Sequence, residues 1–166
     1  MGSNRIDKIN YYLDIAKSVA ERSTCLRKKV GCVIVNNDEI IATGYNGAPR
    51  GRKNCIDLGF CTKKKLFPDL RHAGYDACRS VHAEQNAIIS ARRKDMIGGT
   101  LYLVVYRVDT GEFEPGANSC QMCKKLIINA GISKVIVRGQ NDTEYDEINV
   151  EDWIEQDDLL DGKITY

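Results

Sequence analysis

Four short apolar runs constrain this chain more than any other feature: Val30 to Val35, Glu39 to Tyr45, Thr100 to Tyr106 and Lys134 to Arg138. Each has the length and the β-branched content of a strand and is too short for an ordinary helix. Only Asn36-Asn37-Asp38 separates the first two, and a polar turn between such runs predicts a hairpin. Helical spacing fills the gaps between the others. Ile6, Ile9, Leu13, Ala16 and Ala20 predict a first helix from about Asn4 to Arg22, with Asn4 and Asp7 as a capping box. Gln85, Ile88, Ile89 and Arg92 predict a second, from His82 to about Lys94, and Cys123, Leu126, Ile127 and Ala130 a third, closed by Gly131. The resulting order is helix, two strands, helix, strand, helix, strand.

With 166 residues, 43% of them hydrophobic, the chain can bury one core, so residues 1–166 are expected to form a single domain. Its formal charge of +1 offers no general attraction to nucleic acid or to an anionic membrane. Met1 to Lys8 is polar and no apolar run could span a bilayer, which points to a soluble, cytoplasmic protein. The small net charge hides an uneven distribution. Between residues 50 and 71 lie Arg50, Arg52, Lys53, Lys63, Lys64, Lys65 and Arg71 against Asp57 and Asp69. Asp142 to Asp161 holds ten acidic residues and no basic one, and its interleaved Ile148, Val150, Trp153 and Ile154 suggest a partly docked terminal helix.

Seven cysteines in a chain with no export signal should remain reduced, as metal ligands, catalytic groups or small core residues. His82-Ala83-Glu84 opens one predicted helix and Cys120-Gln121-Met122-Cys123 another. Two cysteines at that spacing at a helix N-terminus can reach one ion, and the helix dipole favours their ionised sulfurs. With His82 they make three zinc ligands and leave a fourth position open, as a catalytic rather than a structural zinc requires. Water bound there has its pKa lowered from about 15.7 to about 7. Glu84, two residues after the histidine, puts a carboxylate beside the metal, placed to move a proton.

His82, Glu84, Cys120 and Cys123 resemble the signature of the zinc-dependent cytidine and deoxycytidylate deaminase superfamily. Ser23-Thr24-Cys25-Leu26-Arg27, Val30-Gly31, Gly44-Tyr45-Asn46-Gly47 and His82 to Ile88 are similar to its deoxycytidylate (dCMP) branch, over roughly residues 5 to 138. Two departures stand out: Ser119 occupies the place of a usual proline, and Arg107 to Asn118 is an extra stretch. The resemblance implies an α/β fold, a three-layer α/β/α sandwich on a mixed sheet of about five strands. It also implies hydrolytic deamination of dCMP to dUMP and ammonia, a source of dUMP for thymidylate synthesis. Water would attack C4, with Glu84 protonating N3 and then the departing ammonia. Arg27 and Asn46 would hold the phosphate and sugar, while backbone groups of Ala83 and Ser119 would meet the amino group. Arg27 reads equally as a surface residue, and Asn46 as a turn residue with positive φ.

Of the remaining cysteines, Cys32 lies in an apolar run and reads as core. Cys25, Cys55 and Cys78 fall where some similar deaminases hold a second, structural zinc, with Cys61 or His72 as the fourth ligand. Such a site would pin the basic loop of residues 47–78; otherwise these are free thiols. The resemblance further implies homo-oligomers, commonly hexamers, and in many members activation by dCTP and inhibition by dTTP bound with Mg2+. Three other functions fit the same residues: deamination of another cytosine nucleotide, deamination of a base in RNA or DNA, and non-catalytic nucleotide binding. The near-zero charge weighs against nucleic acid, and Glu84 weighs against a structural zinc alone.

Overall fold

The computed structural model describes residues 5–69, 75–157, 160 and 162. Helix α1 (Lys8–Ala20) begins at Asp7, whose carboxylate accepts the Asn10 backbone N–H at 2.9 Å. The cap is therefore Asp7; Asn4, the expected start, lies outside the described residues. Strands β1 (Lys28–Asn36) and β2 (Glu39–Tyr45) pair antiparallel. Asn36 pairs with Glu39, which leaves a two-residue turn, and Asn37 and Asp38 both adopt positive φ, as a primed hairpin turn requires.

Strand β3 (Thr100–Arg107) pairs antiparallel with β1 and parallel with β4 (Lys134–Arg138). Between them runs α6 (Gln121–Ala130), ended by Gly131 at φ 82° as its position predicted. The five-stranded order is β2-β1-β3-β4-β5, with β5 (Tyr145–Asn149) antiparallel to β4. The sheet is thus mixed, as expected. Its fifth strand falls inside the acidic segment read above as a terminal helix. Among the described residues of that segment the helical part is α7 (Val150–Glu155), with Val150 buried at its start.

Helices cover both faces and complete three layers. Leu13, Ala16 and Ala20 of α1 pack on Val33, Val104 and Ile136. On the opposite face Ala83 and Ala87 of α4 (Ala83–Ile89) and Ile127 and Ala130 of α6 pack on Cys32, Ile34, Leu103, Val135 and Val137. Cys32 is accordingly a core residue. Leu13 is fully buried, and truncation of such a residue to alanine typically costs about 2–5 kcal/mol. Two glycines set how closely the helices approach: a Cβ on Gly31 would lie 2.2 Å from the Ala16 carbonyl oxygen, and one on Gly44 2.1 Å from that of Ala83. The first turn of α4 therefore sits directly on β2.

The helix expected from His82 to Lys94 is broken. After Ile89 the Ser90 hydroxyl donates to the Asn86 carbonyl, and a separate turn, α5 (Arg93–Met96), buries Met96 in the core. The basic loop carries two short helices, α2 (Cys55–Leu58) and α3 (Thr62–Leu66). Among the described residues no helix is long and apolar enough to cross a membrane.

Candidate active site

Two helix starts meet on one face of the sheet. His82 is the N-cap of α4 and Cys120 that of α6, while Cys123 lies within the first turn of α6. The His82 backbone N–H donates to Gln85 Oε1 at 2.9 Å, which fixes the histidine at the entry to its helix. His82 Nδ1 lies 3.3 Å from Cys123 Sγ and 3.5 Å from Cys120 Sγ, and the three donor atoms are all within 4.8 Å of one another. Tetrahedral zinc, with Zn–S near 2.3 Å and Zn–N near 2.0 Å, places neighbouring nitrogen and sulfur ligands about 3.5 Å apart. The donor types and spacing both fit that ion, with one coordination position left over.

The ionisation of these groups also suits a cation. A hydrogen bond from Cys123 and the neighbouring imidazole hold the Cys120 thiol well below the usual thiol range. Cys123 is pushed up, because it donates to Cys120 and is buried near Glu84. Burial works against the His82 imidazolium, but Cys120 and Glu84 outweigh it and the pKa rises. Of the three, Cys120 is the one held as a thiolate, and a divalent ion binding here would displace the protons of Cys123 and His82.

Glu84 follows in the first turn of α4 and is 5% exposed. Burial raises its pKa, only partly offset by its own backbone N–H, His82 and the Ser119 hydroxyl, which donates to Glu84 Oε1 at 2.9 Å. A carboxyl group shifted up from its ordinary 4.5 is closer to the pH at which it can both take and give a proton.

These residues lie in a cleft of about 750 Å³ whose lining includes Arg27, Asn46, Ala83 and Ser119, so every substrate-contact candidate reaches one space. Arg27 is exposed and next to Lys28. Asn46 lacks the positive φ of a turn residue. Its side chain instead accepts from Val30 N at 2.9 Å and donates to the Lys28 carbonyl at 3.0 Å, which clamps the start of β1.

Cys25, Cys55, Cys61 and Cys78 line the same cleft, and all seven cysteines are free. Burial, and then the proximity of Cys25, Cys61 and Cys78, raises the Cys55 thiol. The four gather around Cys55, yet among the described residues only the His82 group has three donor atoms within 4.8 Å. His72, the other candidate fourth ligand, lies outside the described residues.

Several contacts were not legible from sequence. The extra stretch folds back on β3, where Phe113 bridges to Tyr106 and Glu114 N–H donates to the Val105 carbonyl at 2.9 Å. Residues 114–119 thereby become a wall of the cleft, and Glu114 approaches Lys28 at 3.3 Å. Lys124, buried on α6, lies 5.1 Å from the Trp153 ring centroid and ties α7 to the site. A Lys beside a metal-binding cysteine was the available signal for the last of these.

Residues 6–138 match the family described as the cytidine and deoxycytidylate deaminase zinc-binding region. The chain is 37% identical over 137 residues to the deoxycytidylate deaminase of Mycobacterium phage D29, covering 80% of this chain and 95% of the phage protein. It is 37% identical over 129 residues to the deoxycytidylate deaminase of Saccharomyces cerevisiae, covering 76% of this chain but only 36% of the yeast protein. Among solved structures, the dCMP deaminase of cyanophage S-TIM5 in complex with dCMP and dUMP superposes with a TM-score of 0.54 at 26% identity, covering 84% of this chain and 88% of that one. The match runs from α1 through β4 and takes in both helix starts that carry the zinc donors, so the chain belongs to the cytidine and deoxycytidylate deaminase family.

Proposed function

We propose that this protein hydrolyses dCMP to dUMP and ammonia. The observation that carries the proposal is a buried, proton-poised Glu84 beside three zinc donors with one position to spare, at the base of a nucleotide-sized cleft. The phage and yeast relatives named as deoxycytidylate deaminases, and the cyanophage enzyme bound to dCMP and dUMP, support this substrate.

His82 Nδ1 and the sulfurs of Cys120 and Cys123 would hold zinc, which when bound supplies Lewis-acid activation of a water for attack at C4. Glu84 takes a proton from that water and delivers it to N3 of the cytosine. It then carries the second proton of that water, from the oxygen now bonded to C4, to the amino group, which leaves as ammonia. Such proton transfer is worth about 100-fold to 10,000-fold in rate. Ala83 and Ser119, which line the cleft beside Glu84, offer backbone groups to the amino nitrogen. Asn46, by fixing the start of β1, shapes the wall for the sugar, and Arg27 gives the 5′-phosphate a cation at the rim.

A second zinc on Cys25, Cys55, Cys78 and Cys61 completes the reading, supported by their convergence around Cys55. It would pin the loop of residues 47–78 within one domain spanning residues 1–166. Control by dCTP and dTTP with Mg2+, homo-oligomeric assembly and a cytoplasmic location are the finer parts of the proposal; the basic stretch between residues 50 and 71 supports extra phosphates.

The test is ammonia release from a panel of cytosine nucleotides, with and without dCTP and dTTP. Preferred turnover of dCMP supports the reading, and Glu84→Gln should retain zinc while losing at least about 100-fold in kcat. A Glu84→Gln enzyme with undiminished turnover would overturn the assignment.

A further inference from the structure

At the residue before Cys120 this chain carries Ser119 where its family usually has proline. Proline at that position would stiffen the approach to the cysteine pair through its fixed φ, and would contribute neither an N–H nor a hydroxyl. Ser119 uses both. Its backbone N–H donates to Asn118 Oδ1 at 2.7 Å, so the neighbouring side chain holds the turn that a proline ring would otherwise hold. Its hydroxyl, on a residue only 3% exposed, reaches 35 positions back along the sequence to donate to Glu84 Oε1 at 2.9 Å.

That contact has a consequence for Glu84. A glutamate has three side-chain torsions, and at 5% exposure there is little water to orient its carboxylate. One oxygen held by Ser119 restricts the carboxylate to a narrow range of orientations. The pin is rooted in the N-cap turn of α6 while Glu84 belongs to α4, so the bond also registers the two metal-binding helix starts against each other.

We propose that the Ser119 hydroxyl is a positioning residue for the proton shuttle, replacing the rigidity of proline with a direct hydrogen bond to Glu84 Oε1. The inference rests on the deaminase reading above. Its effect lies in the transition state, because the orientation of Glu84 matters while protons move and adds little to the hold on substrate.

The test compares Ser119→Ala, Ser119→Thr and Ser119→Pro with the wild-type holoenzyme, each assayed for zinc content and dCMP kinetics. Ser119→Ala should keep its zinc and its KM and lose about 10-fold to 100-fold in kcat, the cost of a misaligned group near the chemistry. Ser119→Thr, which retains a hydroxyl, should recover most of that loss, and Ser119→Pro, although it restores the family residue, should not. A second readout is independent of turnover. A dCMP analogue with a saturated ring and a 4-hydroxyl, mimicking the tetrahedral adduct, should bind Ser119→Ala more weakly by the same factor as the loss in kcat/KM, with dUMP binding unchanged. Unchanged kinetics in Ser119→Ala, a loss confined to KM, or a loss that follows missing zinc would each overturn the inference. A wild-type enzyme inactive on dCMP would instead remove the deaminase reading and this inference with it; active wild type with an indifferent Ser119→Ala removes only the inference.

Discussion

Two groups of sulfur donors share one cleft, and they are held in different ways. His82, Cys120 and Cys123 sit at the first turns of helices that rest on the sheet, α4 seated on β2 through Gly44 and α6 between β3 and β4. Their donor atoms lie within 4.8 Å of one another before any ion is considered. Cys25, Cys55, Cys61 and Cys78 come from the segment between α1 and β1, the four-residue α2, the residue before α3 and the stretch after a short 3-10 turn. They converge on Cys55 without meeting as tightly. Regular elements anchored by a core can fix ligand geometry in advance, whereas loop ligands draw their geometry from the metal. In the second case the binding energy is spent on ordering the chain.

The largest effect that could break this contrast is expected at the tight group. Cys123→Ala should remove catalytic zinc and reduce dCMP turnover by at least about 1,000-fold, while the circular dichroism spectrum stays that of a folded protein, since the core of both faces is untouched. Metal analysis with an ammonia assay checks it, and an active, zinc-retaining variant would break the claim.

At the loose group the balance should reverse. Cys55→Ser is expected to lower zinc by one equivalent per chain, cut the melting temperature by about 4–8 °C and expose residues 47–78 to proteolysis, with kcat within about threefold of wild type. One zinc per wild-type chain, with Cys55 reactive toward alkylating agents, would show that the four thiols hold no ion. A weak chelator sharpens the same comparison: an ion held by the loop cysteines should leave first, before activity falls.

Smaller effects separate seating from chemistry. Gly44→Ala should destabilise by about 1–3 kcal/mol, because its Cβ would fall 2.1 Å from the Ala83 carbonyl oxygen and push the first turn of α4 off the sheet. Chemical denaturation measures the loss, and a weakened affinity for catalytic zinc should accompany it.

The smallest predicted effect lies outside both groups. Hydrogen bonds from Lys29 and Tyr106 hold the Glu21 carboxyl below its ordinary 4.5. A depressed acid contributes stability above its unfolded value and loses it as pH falls through the folded one. Thermal melts should therefore show Glu21→Gln about 1–2 °C below wild type at neutral pH, the gap closing in acid well below pH 4.5. A gap that persists unchanged in acid would assign the effect to packing.

Much of this architecture was legible from residues alone because its signals are local. The hairpin, β3, β4, α6 with its Gly131 stop, and the His-x-Glu and Cys-x-x-Cys pairs each declare themselves within a few positions. Strand β5 did not. It is an edge strand whose Asp146, Glu147 and Asn149 stay exposed, so its period is faint and its pairing with β4 defines it. The break after Ile89 was hidden for a related reason, since burying Met96 depends on where the core lies.

The same division holds at the site. The sequence by itself determined the chemical inventory: one imidazole, two thiols and a carboxylate, each at a helix start, with a basic stretch and extra cysteines nearby. Tertiary structure alone decided that the stretch after β3 folds back on that strand and makes residues 114–119 a wall of the cleft, that Asn46 clamps β1, and that the Ser119 hydroxyl ends on Glu84 Oε1. Residue types and short spacings determine which bonds a side chain can make. Which partner it finds across 35 residues is settled by how the helices pack on the sheet, and no local pattern records that.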